Sequence, residues 1–320
     1  TQSRSSAASD VYKRQLLSHR IFPRRRFLAP GSFQPRLMEL RAGHARAVIL
    51  PEAGAAFARL DHDGHALLVP VPDGADPNSG FHGSFLMAPW TNRLDGGRIA
   101  VAGVTHHMPV NRPAENTAIH GFLREMAWDV LEAGAAHLVM RCAFDRTPFT
   151  GTARIEVRLA ADHLVLSVSL ANRGTVPTPM GFGWHPYFMR PRGTSLAVTT
   201  RTVFGRDNRN LPTAPRPCAG LHGADAVLDG LDAHFAGWDG EARIDWPDGR
   251  WLILSATGAW ARNLQVFAPG HGGALAVEPV SHAPDAANRA EAAAHGPMHT
   301  LDPGETVEGS LTMRWCDSSP

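Results

Sequence analysis

A histidine and a glutamate, each set in an apolar run, are the residues of this sequence best suited to proton chemistry. His185 lies within Met180-Gly-Phe-Gly-Trp-His-Pro-Tyr-Phe188, directly before Pro186, which biases it to an extended backbone. An imidazole in a cleft titrates near neutrality and so suits general acid work. Glu278 ends the run Gly273-Ala-Leu-Ala-Val-Glu-Pro279, where a carboxylate costs free energy unless it is solvated or partnered. That makes it a candidate general base. A third stretch, Ala88-Pro-Trp-Thr-Asn-Arg-Leu94, is followed by Asn111 and by Ile119-His-Gly-Phe122. Arg93 offers a planar fork of donors and His120 donates or accepts, so both suit the hydroxyls of a polar ligand. The aromatic side chains Trp184, Tyr187 and Phe188, with Trp90, could floor the apolar face of a sugar. Plainer roles fit the same residues: a strand cap for Arg93, a turn for His120, a satisfied core histidine for His185, an edge salt bridge for Glu278. His106, His107 and His120 have no acidic or cysteine partner at ligand spacing, so no metal is expected.

The elements that must position these residues read as short strands. Arg154–Leu159 and Leu164–Leu170 alternate polar and apolar residues with period two, and Trp251–Leu254 reads as a more buried strand. Asp-Gly pairs begin at residues 63, 73, 95, 229, 239 and 248, and Asp-Gly favours tight hairpin turns. Helical periodicity is scarce. The Ala-rich stretch Asp285–His295 is bounded by Pro284 and Gly296 and predicts about three turns at most. Turn signals at roughly ten-residue spacing without a fixed repeat predict an all-β fold, two broad sheets packed face to face.

Composition removes several classes of function. The chain has 320 residues, 43% hydrophobic and 19% charged, with formal net charge +1. The charge is uneven: residues 1–37 hold eight basic side chains and one acidic, leaving 23 basic and 29 acidic, net −6, in 38–320. Lys13 is the only lysine. Thr1–Gln15 reads as translated sequencing adapter, so 1–37 is expected to be a non-native or disordered extension and 38–320 a single catalytic domain beginning at Met38. No nucleic-acid partner is expected of the remainder. No apolar run is long enough to span a bilayer, and the three cysteines, 142, 218 and 316, form neither a disulfide framework nor a metal knuckle.

Taken in order, Arg93, His120, His185 and Glu278 with their flanking residues resemble the aldose 1-epimerase (galactose mutarotase) family. There an Asn-Arg turn, a His-Gly pair, a His-Pro-Tyr-Phe histidine and a Glu-Pro glutamate recur in this sequence order. Trp128-Asp-Val130, Leu231-Asp-Ala-His-Phe235 and Leu264-Gln-Val-Phe267 extend the match to about residues 39–315. The resemblance implies a large antiparallel β-sandwich of the galactose mutarotase type and a cofactor-independent isomerase acting on a small sugar. It implies Glu278 as the base at the anomeric hydroxyl and His185 as the acid at the ring oxygen. Arg93, His120 and Asp232 would hold ring hydroxyls, with Trp184 and Tyr187 against the apolar face. Asp225, Asp229 and Asp239 compete with Asp232 for that role.

The segment before His185 lacks the Asn-rich form of galactose mutarotases proper and Ile119 stands where leucine is usual, so the sequence more closely resembles a divergent bacterial branch of the family. A hexose-6-phosphate or sulfosugar mutarotase is the alternative within the class, with Arg98, Arg112, Arg124 and Arg190 as candidate cations. Outside it stand a glycoside hydrolase using Asp232 and Glu278 as paired carboxylates and a non-catalytic carbohydrate-binding protein. A monomer or homodimer in the cytoplasm is expected, or in the periplasm if the native N-terminus is missing.

Overall fold

Period-two alternation dictates the framework. In the strand Phe149–Leu159, alternate residues are fully buried while those between face outward, and His163–Asn172 repeats the pattern beside it. The computed structural model describes residues 36–270 and 272–316. The segment read as an N-terminal extension lies outside the described residues except for Arg36 and Leu37.

Two antiparallel sheets carry the fold. One has nine strands: Asp129–Ala133, His137–Arg146, Phe149–Leu159, His163–Asn172, Thr306–Cys316, Trp251–Gly258, Glu241–Asp245, Ser195–Thr199 and Gly220–Gly223, in that spatial order. The other has twelve. Its central path runs Ser84–Met87, Gly183–Pro186, Gly273–Val280, Asn263–Phe267, Asp232–Ala236 and Thr202–Arg206. Residues from both sheets share one apolar core that includes Phe57, Trp184, Val277 and Leu264 from the twelve-stranded sheet and Ile155, Leu166, Leu254 and Trp315 from the nine-stranded one. This is the large antiparallel β-sandwich expected from the sequence. Among the described residues no helix is long and apolar enough to cross a membrane.

Two of the six Asp-Gly pairs close hairpins as the sequence predicts. Asp63 and Gly64, at φ 48° and 77°, join Ala56–His62 to His65–Ala66. Asp248-Gly249 joins Glu241–Asp245 to Trp251–Gly258. Asp73-Gly74, by contrast, lies in a long connection before Ser84, and Asp229-Gly230 follows the short helix Asp225–Leu228.

The Ala-rich stretch forms less helix than its composition predicts, only Ala290–Ala293. The cause is Asp285, whose buried carboxylate accepts hydrogen bonds from the Asp95 backbone N–H, Asn288 Nδ2 and Arg289 Nε at 3.0, 2.7 and 2.8 Å. Its own N–H donates to the Arg93 carbonyl at 3.1 Å. Residues 285–289 therefore wrap around a carboxylate, and the contact pins them to the strand that carries Arg93.

Trp260 is fully buried beneath the same core, with its ring 5.2 Å from Phe182 and its indole N–H donating to the Phe182 carbonyl at 3.3 Å. Replacing it, Trp260→Ala, leaves a cavity and removes one of two hydrogen bonds to a carbonyl that also accepts from the Ser281 N–H at 2.9 Å. Denaturant unfolding should show a loss of about 3–5 kcal/mol; a loss below about 1 kcal/mol would remove Trp260 from the core's support.

Candidate functional site

Six side chains on six neighbouring strands form one row across the twelve-stranded sheet. Phe85 pairs directly with His185, Glu278 with Gln265, Gln265 with His234, and His234 with Phe204. Gly183 pairs with Val280, and two residues further along that antiparallel register His185 comes opposite Glu278. Paired residues share a face, so the row is Phe85, His185, Glu278, Gln265, His234, Phe204. The next residue on each strand, among them Trp184, Val277, Leu264 and Phe235, points to the inter-sheet core.

At the centre, His185 Nε2 lies 3.3 Å from Glu278 Oε1, with both side chains buried. Burial pushes the Glu278 carboxyl well above the usual range, and the neighbouring Asp232 charge adds to the rise; Arg206 and Arg93 oppose it. Burial likewise pulls His185 down to about 3, helped by the Arg124 charge. Both shifts disfavour the charged forms. Burial thus favours a protonated Glu278 beside a neutral His185.

A polar layer surrounds this pair. Gln265 bridges Asn92, whose Nδ2 donates to it at 3.2 Å, and Asp232, which accepts from its Nε2 at 2.8 Å. Asp232 is held from the other side by Arg206, at 2.6 and 2.5 Å. Arg93 forks onto Glu115 at 2.7 and 3.2 Å, and Glu115 also accepts from Asn210 at 2.8 Å. The competing aspartates lie elsewhere in the bonding scheme: Asp225 and Asp229 pair with Arg190 and Arg192, and Asp239 accepts from the Glu241 backbone. Glu115, Arg206, Gln265 and Asp285 escaped the sequence reading as site residues. Gln265 alone had a local signal, since it lies within a segment that extends the family resemblance.

His120 reaches the pair from a loop. Its ring meets that of His185 edge-on at 5.4 Å and that of Phe85 at 5.7 Å, and its Nδ1 is buried without a partner. Burial, with the His185 and arginine charges, holds it well below the ordinary histidine value. Its backbone is left-handed at φ 67°, as is that of Asn92 at 52°, and the His120 N–H donates to the Asn92 carbonyl at 3.0 Å. Such conformations cost about 1–3 kcal/mol each and persist only where surrounding structure enforces them. Gly121 explains the His-Gly pair: a Cβ there would meet the Ala88 carbonyl oxygen at 1.9 Å.

The aromatic residues divide by strand alternation. Tyr187 packs with Phe85, Phe81 and His185, its ring 4.6 Å from the last, on the side of the row. Trp184 does not join it. Adjacent to His185 on one strand, it points to the opposite face and packs against Phe57 and Phe188 in the core, which corrects its assignment to the sugar face. Phe188 and Trp90 are buried in the same core. Among the described residues no group of three or more His, Cys, Asp and Glu side chains is placed to hold a metal ion.

The family model for aldose 1-epimerase matches residues 36–314. The chain is 27% identical over 245 residues to the uncharacterized protein YphB of Escherichia coli K12, covering 72% of this chain and 83% of that one. A solved structure of a putative aldose 1-epimerase from Escherichia coli K12 superposes with a TM-score of 0.78 at 23% identity, covering 88% of this chain and 99% of that one. The GalM/aldose epimerase homologue from Caenorhabditis elegans superposes with a TM-score of 0.73 at 17% identity, covering 89% and 99%. At these identities the two structures establish the fold.

The buried histidines predict a pH dependence of stability. His185 and His234 are held at about 3, His282 at about 4 and His120 well below its ordinary value, chiefly by burial. Each binds a proton in the unfolded chain below about 6.5 but stays neutral when folded, so stability falls as pH drops from there toward 3–4. Glu278 and Asp232, raised in the fold, have the opposite sign, but they are two carboxylates against four histidines. Thermal melts should show lower stability at pH 5 than at pH 7, on the order of 1 kcal/mol per histidine. An unchanged or higher midpoint at pH 5 would contradict the neutral assignment.

Proposed function

The chain belongs to the aldose 1-epimerase family, and on that footing we propose that it interconverts the α and β anomers of an aldose by acid–base ring opening and reclosure. The observation that carries this reading is the 3.3 Å contact between buried His185 and Glu278. Ring opening removes a proton from the anomeric hydroxyl and adds one to the ring oxygen, and these two oxygens share one carbon. A base and an acid side by side meet that demand.

In the proposed cycle the sugar first shifts the proton of the pair. The anomeric hydroxyl donates a hydrogen bond to Glu278 and the ring oxygen accepts one from His185, and both contacts favour the charged forms that burial disfavours. Glu278 then takes the anomeric proton while His185 delivers its own to the ring oxygen, breaking the C1–O5 bond. Rotation about C1–C2 presents the other face of the aldehyde. Reclosure returns a proton from Glu278 to O1 and one from the C5 hydroxyl to His185. The proton count of the enzyme is unchanged at every stage, and the residues described supply both transfers without a cofactor.

His120, Arg93 and Asp232 hold ring hydroxyls in this reading. Arg93 and Asp232 are already fixed by Glu115, Arg206 and Gln265, so ordering them costs little when sugar binds. Tyr187 lies against the apolar face. The same ties weaken a glycoside hydrolase reading, since Asp232 is committed as an acceptor to two partners and His185 is left without a role. A binding protein has no use for an acid–base pair.

Polarimetry or saturation-transfer NMR on a panel of aldoses tests the proposal. Mutarotation should exceed the buffer rate for at least one sugar, and Glu278→Gln and His185→Asn should each lower kcat by about 10²–10⁴-fold. Full activity in Glu278→Gln would overturn the mechanism, and no acceleration on any sugar would overturn the function.

A further inference from the structure

The chain leaves the Glu278 strand through Ser281-His282, and there His282 meets the turn that carries Arg93. Both His282 and Thr91 are buried. The His282 Nδ1 lies 2.9 Å from the Ala283 carbonyl oxygen, which can only accept, so Nδ1 bears the hydrogen. Its Nε2 lies 3.1 Å from the Thr91 backbone nitrogen, whose N–H can only donate, so Nε2 keeps its lone pair. Two backbone groups thus fix one neutral tautomer. Burial, which pulls His282 down to about 4, favours the same state. The sequence makes room for this contact. A Cβ at Gly181 would meet the His282 ring at 2.2 Å, and one at Gly183 would meet the Thr91 methyl at 2.9 Å. Ser281 closes the junction: its N–H donates to the Phe182 carbonyl and its Oγ accepts from the Phe182 N–H, both at 2.9 Å. His282 therefore sits where the Glu278 strand, the chain leading into His185 and the Arg93 turn come together.

Thr91 directly precedes Asn92, whose left-handed backbone at φ 52° persists only under restraint from its surroundings. The carbonyls of Pro89, Asn92 and Arg93 accept from the N–H groups of Gly181, His120 and Asp285. Asn92 Oδ1 accepts from the Arg93 N–H at 2.9 Å. The Thr91 N–H has the His282 ring as its acceptor, and without it would be a buried, unpaired donor. We propose that His282 is a positioning residue for the reaction: through Thr91 it sets the Asn92–Arg93 turn, and so the Arg93 guanidinium, against the Glu278–His185 pair. The proposal rests on the mutarotase reading, in which Arg93 holds a ring hydroxyl. That hydroxyl is spectator to the ring opening, so the contact is made alike in ground state and transition state. A loosened turn then weakens sugar binding and leaves the chemical step intact.

Mutarotation kinetics of His282→Phe and His282→Gln, on an aldose that the unmodified protein turns over, test the proposal. Phenylalanine fills the ring's space without an acceptor; it should raise KM about tenfold while kcat stays within about twofold. Glutamine carries an oxygen acceptor at a reach similar to Nε2 and should restore most of the loss. In an Arg93→Gln background, His282→Phe should raise KM little further, because its effect travels through Arg93, whereas a general weakening of the fold would add in full. An unchanged KM in His282→Phe, or full additivity with Arg93→Gln, would overturn the proposal and leave the mutarotase reading intact. Should the variants not fold, nitrogen-15 NMR of the unmodified protein decides: at pH 7 His282 should be the neutral Nδ1–H tautomer, and a proton on Nε2 would overturn the proposal. Failure of the unmodified protein to accelerate any aldose would overturn the mutarotase reading and this proposal with it.

Discussion

A carboxylate and an imidazole buried side by side in an apolar sheet form the constraint on which the rest of the site depends. Neither Glu278 nor His185 bears its charge cheaply at that position, because water has been removed from both. The fold answers by putting them 3.3 Å apart. Substrate hydroxyls would replace the missing solvation only when the sugar is seated. In the proposed cycle the energetic penalty of burial would thus couple proton position to substrate binding.

Everything else near the pair fixes charges that would otherwise disturb it. Asp232 raises the Glu278 carboxyl, and Arg206 and Arg93 pull it down. Arg206 and Gln265 lock Asp232, Glu115 locks Arg93, and Asp285 ties the loop after the Glu278 strand to the strand of Arg93. His120 and Asn92 are delivered from turns held in left-handed backbone, a strain that the packing of Gly121 against Ala88 sustains. Strands carry His185 and Glu278, and the elements on their flanks carry Arg93 and His120, which would read the ligand in the proposed cycle.

The sandwich was legible because alternation and Asp-Gly turns are local properties, as Phe149–Leu159 and His163–Asn172 illustrate. His185, Glu278, Arg93 and His120 stood out because each sits in a short motif and the motifs occur in order. Their partners did not. Gln265 faces Glu278 only through strand register, and Arg206 lies 26 residues from the Asp232 it holds. Glu115 meets Arg93 only because the chain 22 residues on folds back onto the strand that begins with Arg93. Trp184 was placed on the sugar face from its neighbourhood in sequence, yet strand alternation sends adjacent residues to opposite sides. The Asp285–His295 stretch showed the same limit: alanine content favoured helix, while one buried carboxylate organised a turn.

The protonation state of Glu278 tests the central claim most directly. Infrared difference spectroscopy at pH 7, with Glu278→Gln as the reference, isolates the carbonyl stretch of a protonated carboxylic acid. The unliganded protein should show that band, and saturating sugar should diminish it as the proton passes to His185. A Glu278 that is already ionised in the empty site, and unchanged when sugar binds, would contradict the account.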